Sequence, residues 1–439
     1  MNTLRPASFG ALLVLVVACS SSETGSSSGE GGTANETGAA GKAAEAGGES
    51  GGASGSGTTN GTAGAPAAGG ASPGTSGDSS AGNAGAAGGA VTAGGWNAGG
   101  ADNGGGNSGG NAGTATNGGA GGTTVVSDCT TNSIAKCSGT TDISCHFGGN
   151  PGNYEVTVGL GGPAAGDMYV EAEMYRRILG ETTTAAKATK SFSFVVNVRQ
   201  PEGQPVENGP NDGTPGLDVY IRGVKPQLTS ICFEPAKKPA MIWVAGDSTV
   251  CDQGGTDYSG WAQHLPQYFN VPVSVANYAD SGESSGSFLN NAKMFGAIKA
   301  GWHAGDWLFV QLGHNDKSTT ATTFQANMTS YVTQAKAAGV NVVLFTPISR
   351  VGYTLAQEHV NSTGANLPQI IRDLGKSQNV PVVDLTVTTW NWLQTIKWQD
   401  YFALGTDHTH LNPKGADVVA GFVRDAVKTQ NLAIAPYLR

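Results

Sequence analysis

Nowhere in this chain do lysines and arginines cluster between aromatic residues, no cysteine pair has the C-x-x-C spacing, and charge of either sign is scarce at 13% of 439 residues. With a formal net charge of −9, the first absence argues against nucleic-acid binding and leaves a solvated acidic surface as the plainer reading. The second disfavours zinc, since no histidine stands at a ligand interval from the cysteines either. Large apolar residues are also missing from a whole stretch, residues 20–124, where Trp96 stands nearly alone among Gly, Ala, Ser, Thr and Asn. Such a composition cannot bury enough surface to offset its ordering entropy, so a disordered tether is expected over residues 20–126. About 105 residues of this type have an r.m.s. reach of roughly 50 to 60 Å.

What precedes the tether is short and apolar. Residues 9–17 follow Arg5 as a hydrophobic run too short to span a bilayer, and Val17-Ala18-Cys19-Ser20 comes next. This resembles a bacterial lipoprotein signal over residues 1–19. The resemblance implies lipid on Cys19, export, and an outer-membrane or cell-surface location, with secretion after an ordinary signal as the alternative. Membrane contact is then expected only through the N-terminal lipid. Cys129, Cys137, Cys145 and Cys232 fit an exported segment with two disulfides in any of three connectivities, while Cys251 is either a buried free thiol or a staple.

Two folded segments are expected. Over residues 127–236, alternation at residues 154–158, 168–175, 191–198 and 217–223, with Gly/Pro turns between, reads as an all-β sandwich whose role is either sugar binding or structural. Over residues 237–439 the period changes. Apolar runs at 241–245, 271–276, 307–312, 340–345 and 380–385 alternate with helical patterns at 261–269, 291–301, 324–338, 367–378 and 414–429. That alternation predicts an α/β fold with a parallel sheet, and five strands suit a flavodoxin-like order.

The chemistry-bearing residues fall at the ends of those strands. Gly246-Asp247-Ser248-Thr249 follows the first, Asp280-Ser281-Gly282 the second, Gly313-His314-Asn315-Asp316 the third, and Asp407-His408-Thr409-His410 precedes the last helix. A serine hydroxyl becomes a nucleophile when a base takes its proton and an acid holds that base in one tautomer. Ser248, His410 and Asp407 supply those types, and the three-residue spacing of Asp407 and His410 places both on one face of a helical turn. The backbone N–H of Ser248, that of Gly282, and the Asn315 side-chain amide suit an oxyanion hole. His314 and Glu283 are possible substrate-binding residues, and His408 reads as exposed. Each block alone is ordinary turn or cap chemistry; in order, each after its strand, they read as one catalytic site. No metal or other cofactor is required. Ser248 lacks a G-x-S-x-G elbow, which disfavours the α/β-hydrolase fold.

The segment from residue 238 to the end resembles the SGNH (GDSL-type) hydrolases. Ala-Gly-Asp-Ser-Thr, Leu-Gly-His-Asn-Asp, Thr-Pro-Ile-Ser-Arg at 346–350 and Thr-Asp-His-Thr-His-Leu-Asn-Pro-Lys-Gly-Ala resemble the rhamnogalacturonan acetylesterases within them. The resemblance implies a serine esterase that deacetylates a pectic cell-wall polysaccharide through an acetyl-serine. Acetylated xylan or a short acyl ester is the alternative substrate, and a non-catalytic glycan-binding lipoprotein is a second alternative. One departure is Glu283, where many members carry arginine after the second-block glycine; it weakens any inference about recognition of an anionic galacturonate there.

Overall fold

A computed structural model describes residues 133–200, 202–206 and 214–439. The signal segment with Cys19, the Gly-rich stretch and Cys129 lie outside the described residues. All described residues belong to one compact unit.

Eight strands come first: β1 (Cys137–Ser138), β2 (Ile143–Phe147), β3 (Gly152–Gly162), β4 (Gly166–Ala172), β5 (Arg176–Thr184), β6 (Ala188–Val198), β7 (Leu217–Lys225) and β8 (Leu228–Pro235). They form two antiparallel sheets, ordered β1-β2-β7-β4-β5 and β6-β3-β8. Period-2 alternation sends Met168 and Val170 of β4 and Val219 and Ile221 of β7 into one apolar core with Val156, Val158 and Leu160 of β3 and Phe194 and Val196 of β6. A Cys137–Cys145 disulfide joins β1 to β2 where the two residues pair directly, and Cys232 is also disulfide-bonded. β5 and β8 escape the alternation pattern because arginines, threonines and a serine interrupt their apolar positions.

The α/β half runs β9 (Ala240–Gly246), β10 (Val273–Asn277), α1 (Ser285–Asn290), α2 (Phe295–Gly301), β11 (Trp307–Gln311), α3 (Ala321–Ala337), β12 (Asn341–Phe345), α4 (Leu367–Gln378), β13 (Val382–Val383), α5 (Leu385–Leu393) and α6 (Pro413–Thr429). Its parallel sheet has the order β10-β9-β11-β12-β13, the flavodoxin-like arrangement expected from the sequence. Along β9, Ile242 and Val244 enter one apolar core and Met241, Trp243 and Ala245 another. Both faces are covered, which is why the strand reads as an unbroken apolar run.

Three local expectations are corrected. Residues 261–269 form two short 3-10 turns, Trp261–His264 and Pro266–Tyr268, instead of an α-helix; Pro266 removes an N–H and disfavours helix before it. The helix expected at 291–301 starts only at Phe295, and α1 precedes it. The strand expected at 380–385 shortens to two residues because Asp384 caps α5, its side chain accepting from the Val387 N–H at 3.2 Å.

Two buried carboxylates fix the turn after β9. Asp247 Oδ1 accepts from the Thr249 N–H at 3.0 Å and the Thr249 hydroxyl at 2.8 Å. That hydroxyl also accepts from Gln311 Nε2 at 2.7 Å, and Gln311 Oε1 accepts from Trp261 Nε1 at 2.9 Å. Gly246 is required by close approach, since a Cβ there would lie 2.6 Å from the Val250 side chain. On the other side, Asp252, with no exposed surface, lies 3.5 Å from Arg176 Nε and 3.4 Å from Arg199 Nη2, while its second oxygen accepts from Asn277 Nδ2 at 2.8 Å. Arg176 also donates to Val275 O at 3.1 Å and to Asn197 O. The two arginines come from β5 and the residue after β6, so the antiparallel half holds the turn that carries Ser248.

Arg176→Met should destabilise the fold by about 3–5 kcal/mol in denaturant unfolding, because it leaves Asp252 buried and under-compensated. Burial pushes the Asp247 carboxyl from 3.8 up to about 6 against the two Thr249 hydrogen bonds. Its folded pKa lies above the unfolded one, so its stabilising contribution is full below about pH 4 and is lost as pH rises through about 6. Asp247→Asn keeps the acceptor to Thr249 and should flatten stability between pH 4 and 7 relative to the parent.

Candidate active site

Ser248 stands at the carboxyl end of β9, half-buried, with its Oγ 3.0 Å from His410 Nε2. His410 Nδ1 lies 2.9 Å from Asp407 Oδ2. With the proton on Nδ1 donated to that carboxylate, Nε2 is left as an acceptor aimed at the serine. Asp407 and His410 do not share a helical turn, as the three-residue spacing predicts. The segment is a bend in which Asp407 Oδ1 accepts the backbone N–H groups of Thr409 at 2.7 Å and His410 at 2.8 Å. Burial acts to raise the Asp407 carboxyl, but these N–H groups and the imidazole outweigh it and hold it below the ordinary carboxylate range. The acid therefore stays ionised while it orients the base. Asn412 then caps α6, accepting from the Gly415 N–H at 2.9 Å, which fixes the loop just past His410.

The second and third blocks are held by a different set of contacts. Gly282 has φ +81°, a left-handed conformation that glycine adopts without strain and that turns the chain after β10. Asn315 Nδ2 donates to the Glu283 carbonyl at 3.1 Å, which leaves its second amide hydrogen free and ties the third block to the second. Beneath both, Asp316 accepts from the Ser285 N–H at 2.9 Å and the Ser285 hydroxyl at 2.6 Å. Ser281 N–H in turn donates to Gln204 Oε1 at 2.7 Å, and the Val206 N–H to Asp280 Oδ2 at 2.7 Å. Residues 204 and 206 belong to the antiparallel half, so it braces the second block as well as the first.

Ser248, Asn315 and His410 open onto a cavity of about 530 Å³. Its far wall comes from residues 350–367, the long segment between β12 and α4. His314 lines it at 2% exposure with neither ring nitrogen bonded within the protein, and its ring meets His359 edge-on at 4.6 Å. Burial, then His359 and Arg350, hold the His314 pKa well below the ordinary value, so it stays neutral with one donor and one acceptor to offer a ligand. His359, pushed down to about 3 chiefly by burial, is occupied with the Ile348 carbonyl at 2.7 Å. His408 is exposed at the rim against Trp398.

Among the described residues, the cavity wall carries Lys317 and Arg350 and no carboxylate, in a chain of net charge −9. Glu283 is not part of that wall; its contribution is the backbone carbonyl held by Asn315. Lys317, His359 and Tyr258, whose ring meets His410 edge-on at 5.7 Å, went unread in the sequence because nothing in their local context distinguishes them from surface or core residues. Position beside Asn315-Asp316 was the one available signal for Lys317.

Residues 244–418 match the model of the GDSL-like Lipase/Acylhydrolase family. Rhamnogalacturonan acetylesterase RhgT of Bacillus subtilis strain 168 is 30% identical over 223 residues, 46% of this chain and 95% of that protein. The probable rhamnogalacturonan acetylesterase YesY of the same organism is 30% identical over 213 residues, 44% of this chain and 94% of that protein. An uncharacterized esterase from it, YxiM, is 26% identical over 275 residues, covering 58% of this chain and 71% of that protein. Three blocks at strand ends and a fourth just before α6, a five-stranded parallel sheet and relatives matched over nearly their whole length make this chain a member of the GDSL-like lipase/acylhydrolase (SGNH hydrolase) family, a carboxylic ester hydrolase.

Proposed function

We propose that the protein is a serine esterase that removes O-acetyl groups from an acidic pectic polysaccharide of the rhamnogalacturonan type. The observation that carries the reaction is the Ser248–His410–Asp407 relay at 3.0 and 2.9 Å. Ser248 Oγ attacks the acetyl carbonyl as His410 Nε2 takes its proton. The oxyanion is received by the backbone N–H groups of Ser248 and Gly282 and the free amide hydrogen of Asn315. Collapse breaks the ester bond, the sugar oxygen takes the proton from His410, and an acetyl-serine remains. Water then attacks that carbonyl, giving up a proton to His410, and acetate leaves as Ser248 recovers its own. Asp407 remains ionised throughout and stabilises the imidazolium.

The substrate reading draws on the relatives and on charge. Rhamnogalacturonan carries uronate carboxylates, and a wall whose described residues include Lys317 and Arg350 but no acidic side chain favours an anionic glycan over a neutral one such as acetylated xylan. His314, neutral and unbonded, supplies a hydrogen bond to the sugar or its acetyl group. The intact relay disfavours a non-catalytic glycan-binding role. Lipid on Cys19, as implied by residues 1–19, would hold this activity at a membrane facing the polymer.

Ser248→Ala should abolish acetate release from acetylated rhamnogalacturonan; retained release would remove Ser248 as nucleophile. Lys317→Gln should raise KM for that polymer several-fold and weaken its salt dependence, while leaving KM for a neutral aryl acetate alone. Equal KM changes on both substrates would count against anion recognition. Cys19→Ala should move the protein from the membrane fraction to the soluble one, and unchanged fractionation would rule out the lipid.

A further inference from the structure

The sheet face opposite the β-core is unusual for a solvent face. Met168, Val170, Val219 and Ile221 point into the core, so the residues alternating with them, Tyr169 and Glu171 of β4 and Tyr220 and Arg222 of β7, point away from it. Register sets Tyr169 opposite Arg222 and Glu171 opposite both Arg177 and Tyr220. This face meets the loop of residues 254–259, which follows the Ser248 turn, and between them lies a cleft of about 580 Å³.

Its side chains are locked in the free protein. Arg222 Nε donates to both oxygens of Asp142, at 3.1 and 3.2 Å, and Arg222 Nη1 to Glu171 Oε2 at 2.8 Å. The Arg222 guanidinium lies 4.6 Å from the Tyr175 ring centroid and 4.7 Å from that of Tyr220. Arg177 sits 3.6 Å from the centroid of Tyr169 and 3.3 Å from Glu171. The result is a rigid set of aromatic rings, guanidinium forks and carboxylates whose rotamer entropy is already lost before any ligand arrives. Rings for sugar C–H faces, together with paired donors and acceptors for vicinal hydroxyls, are the chemistry of carbohydrate recognition.

Two further observations choose the occupant. Arg222 is neutralised by Asp142 and Glu171, and Arg177 by Glu171 and Glu181, so the cleft lacks the excess positive charge of the catalytic cavity and suits uncharged sugar units. Tyr258 lines the cleft and at the same time touches the His410 ring at 5.7 Å, so the cleft ends at the catalytic base. A polymer whose acetylated unit occupies the catalytic cavity has to continue somewhere, and this is an adjoining shaped surface.

We propose that the cleft between the antiparallel half and the 254–259 loop is a second carbohydrate subsite, which holds uncharged sugar units of the polysaccharide chain being deacetylated at Ser248. It rests on the polysaccharide-esterase reading above and assigns the antiparallel half a binding role within it.

The test uses the full chain and two variants, Tyr169→Ala, which removes a ring, and Thr256→Trp, which adds bulk to an exposed loop residue on the cleft wall and removes no core contact. Two quantities are measured: KM for acetylated rhamnogalacturonan against a small aryl acetate, and, in a Ser248→Ala background, the affinity for deacetylated rhamnogalacturonan. Both variants should raise the polymer KM and weaken polymer binding about tenfold, as loss of one aromatic contact does, with the aryl acetate kcat/KM within about twofold of the parent. Unchanged polymer KM and affinity in Thr256→Trp would overturn the subsite, as would equal losses on polymer and aryl acetate in that variant. Because binding is read without turnover, a parent that binds the polymer through this cleft but releases no acetate would defeat the esterase reading and leave the subsite standing.

Discussion

Asp252 places a carboxyl group with no exposed surface four residues after Ser248, and the structure around it exists in this form because Arg176 and Arg199 reach it from the antiparallel half. A buried carboxylate in low dielectric is costly unless it is paired and hydrogen-bonded. Here it is both, with Asn277 Nδ2 on its second oxygen. The same asparagine also donates to Val250 O at 2.9 Å, which links the first strand-end turn to the end of the second strand. The ion cluster thus does more than join two halves. It sets the position of the loop that presents the serine, and hydrogen bonds from residues 204 and 206 do the same for the Gly282 loop.

The division of charge follows from that architecture. Three acidic side chains near the site are held by donors behind the surface: Asp247 by Thr249, Asp316 by Ser285 and Asp407 by the N–H groups of the bend before α6. With these three carboxylates engaged behind it, the cavity wall carries Lys317, Arg350 and the neutral His314 and His359 among its described residues. An acidic protein can in this way present a cationic pocket, and the pocket's chemistry differs from that of the neutral, tyrosine-rich cleft on the other side of Tyr258.

Much of this was legible in the sequence. The apolar runs gave the parallel sheet because strands covered on both faces show no alternation; Ser248, Gly282 and Asn315 were legible because each follows the end of a strand, and His410 because it stands just before the last helix. Asp407 was found by spacing, although the helical turn invoked for it is a hydrogen-bonded bend; the contact survives because a carboxylate can accept the N–H groups two and three residues ahead without a helix. The strand expected at 380–385 runs two residues too far because the apolar pattern continues to Leu385, whereas the Asp384 side chain caps α5 there.

By itself, the sequence determined the five parallel strands in order, the residue types of the relay and the reaction class they serve, since those depend on periodicity and on chemistry carried within each short block. Only the tertiary structure decided that the antiparallel half supports the Ser248 turn, that Glu283 contributes a carbonyl while Lys317 and Arg350 line the cavity, and that Tyr258 of the second cleft packs on the ring of His410. Those outcomes depend on contacts between residues as far apart as Arg176 and Asp252 or Tyr258 and His410, whose meeting is fixed by the packing of the two halves and leaves no local pattern in the chain.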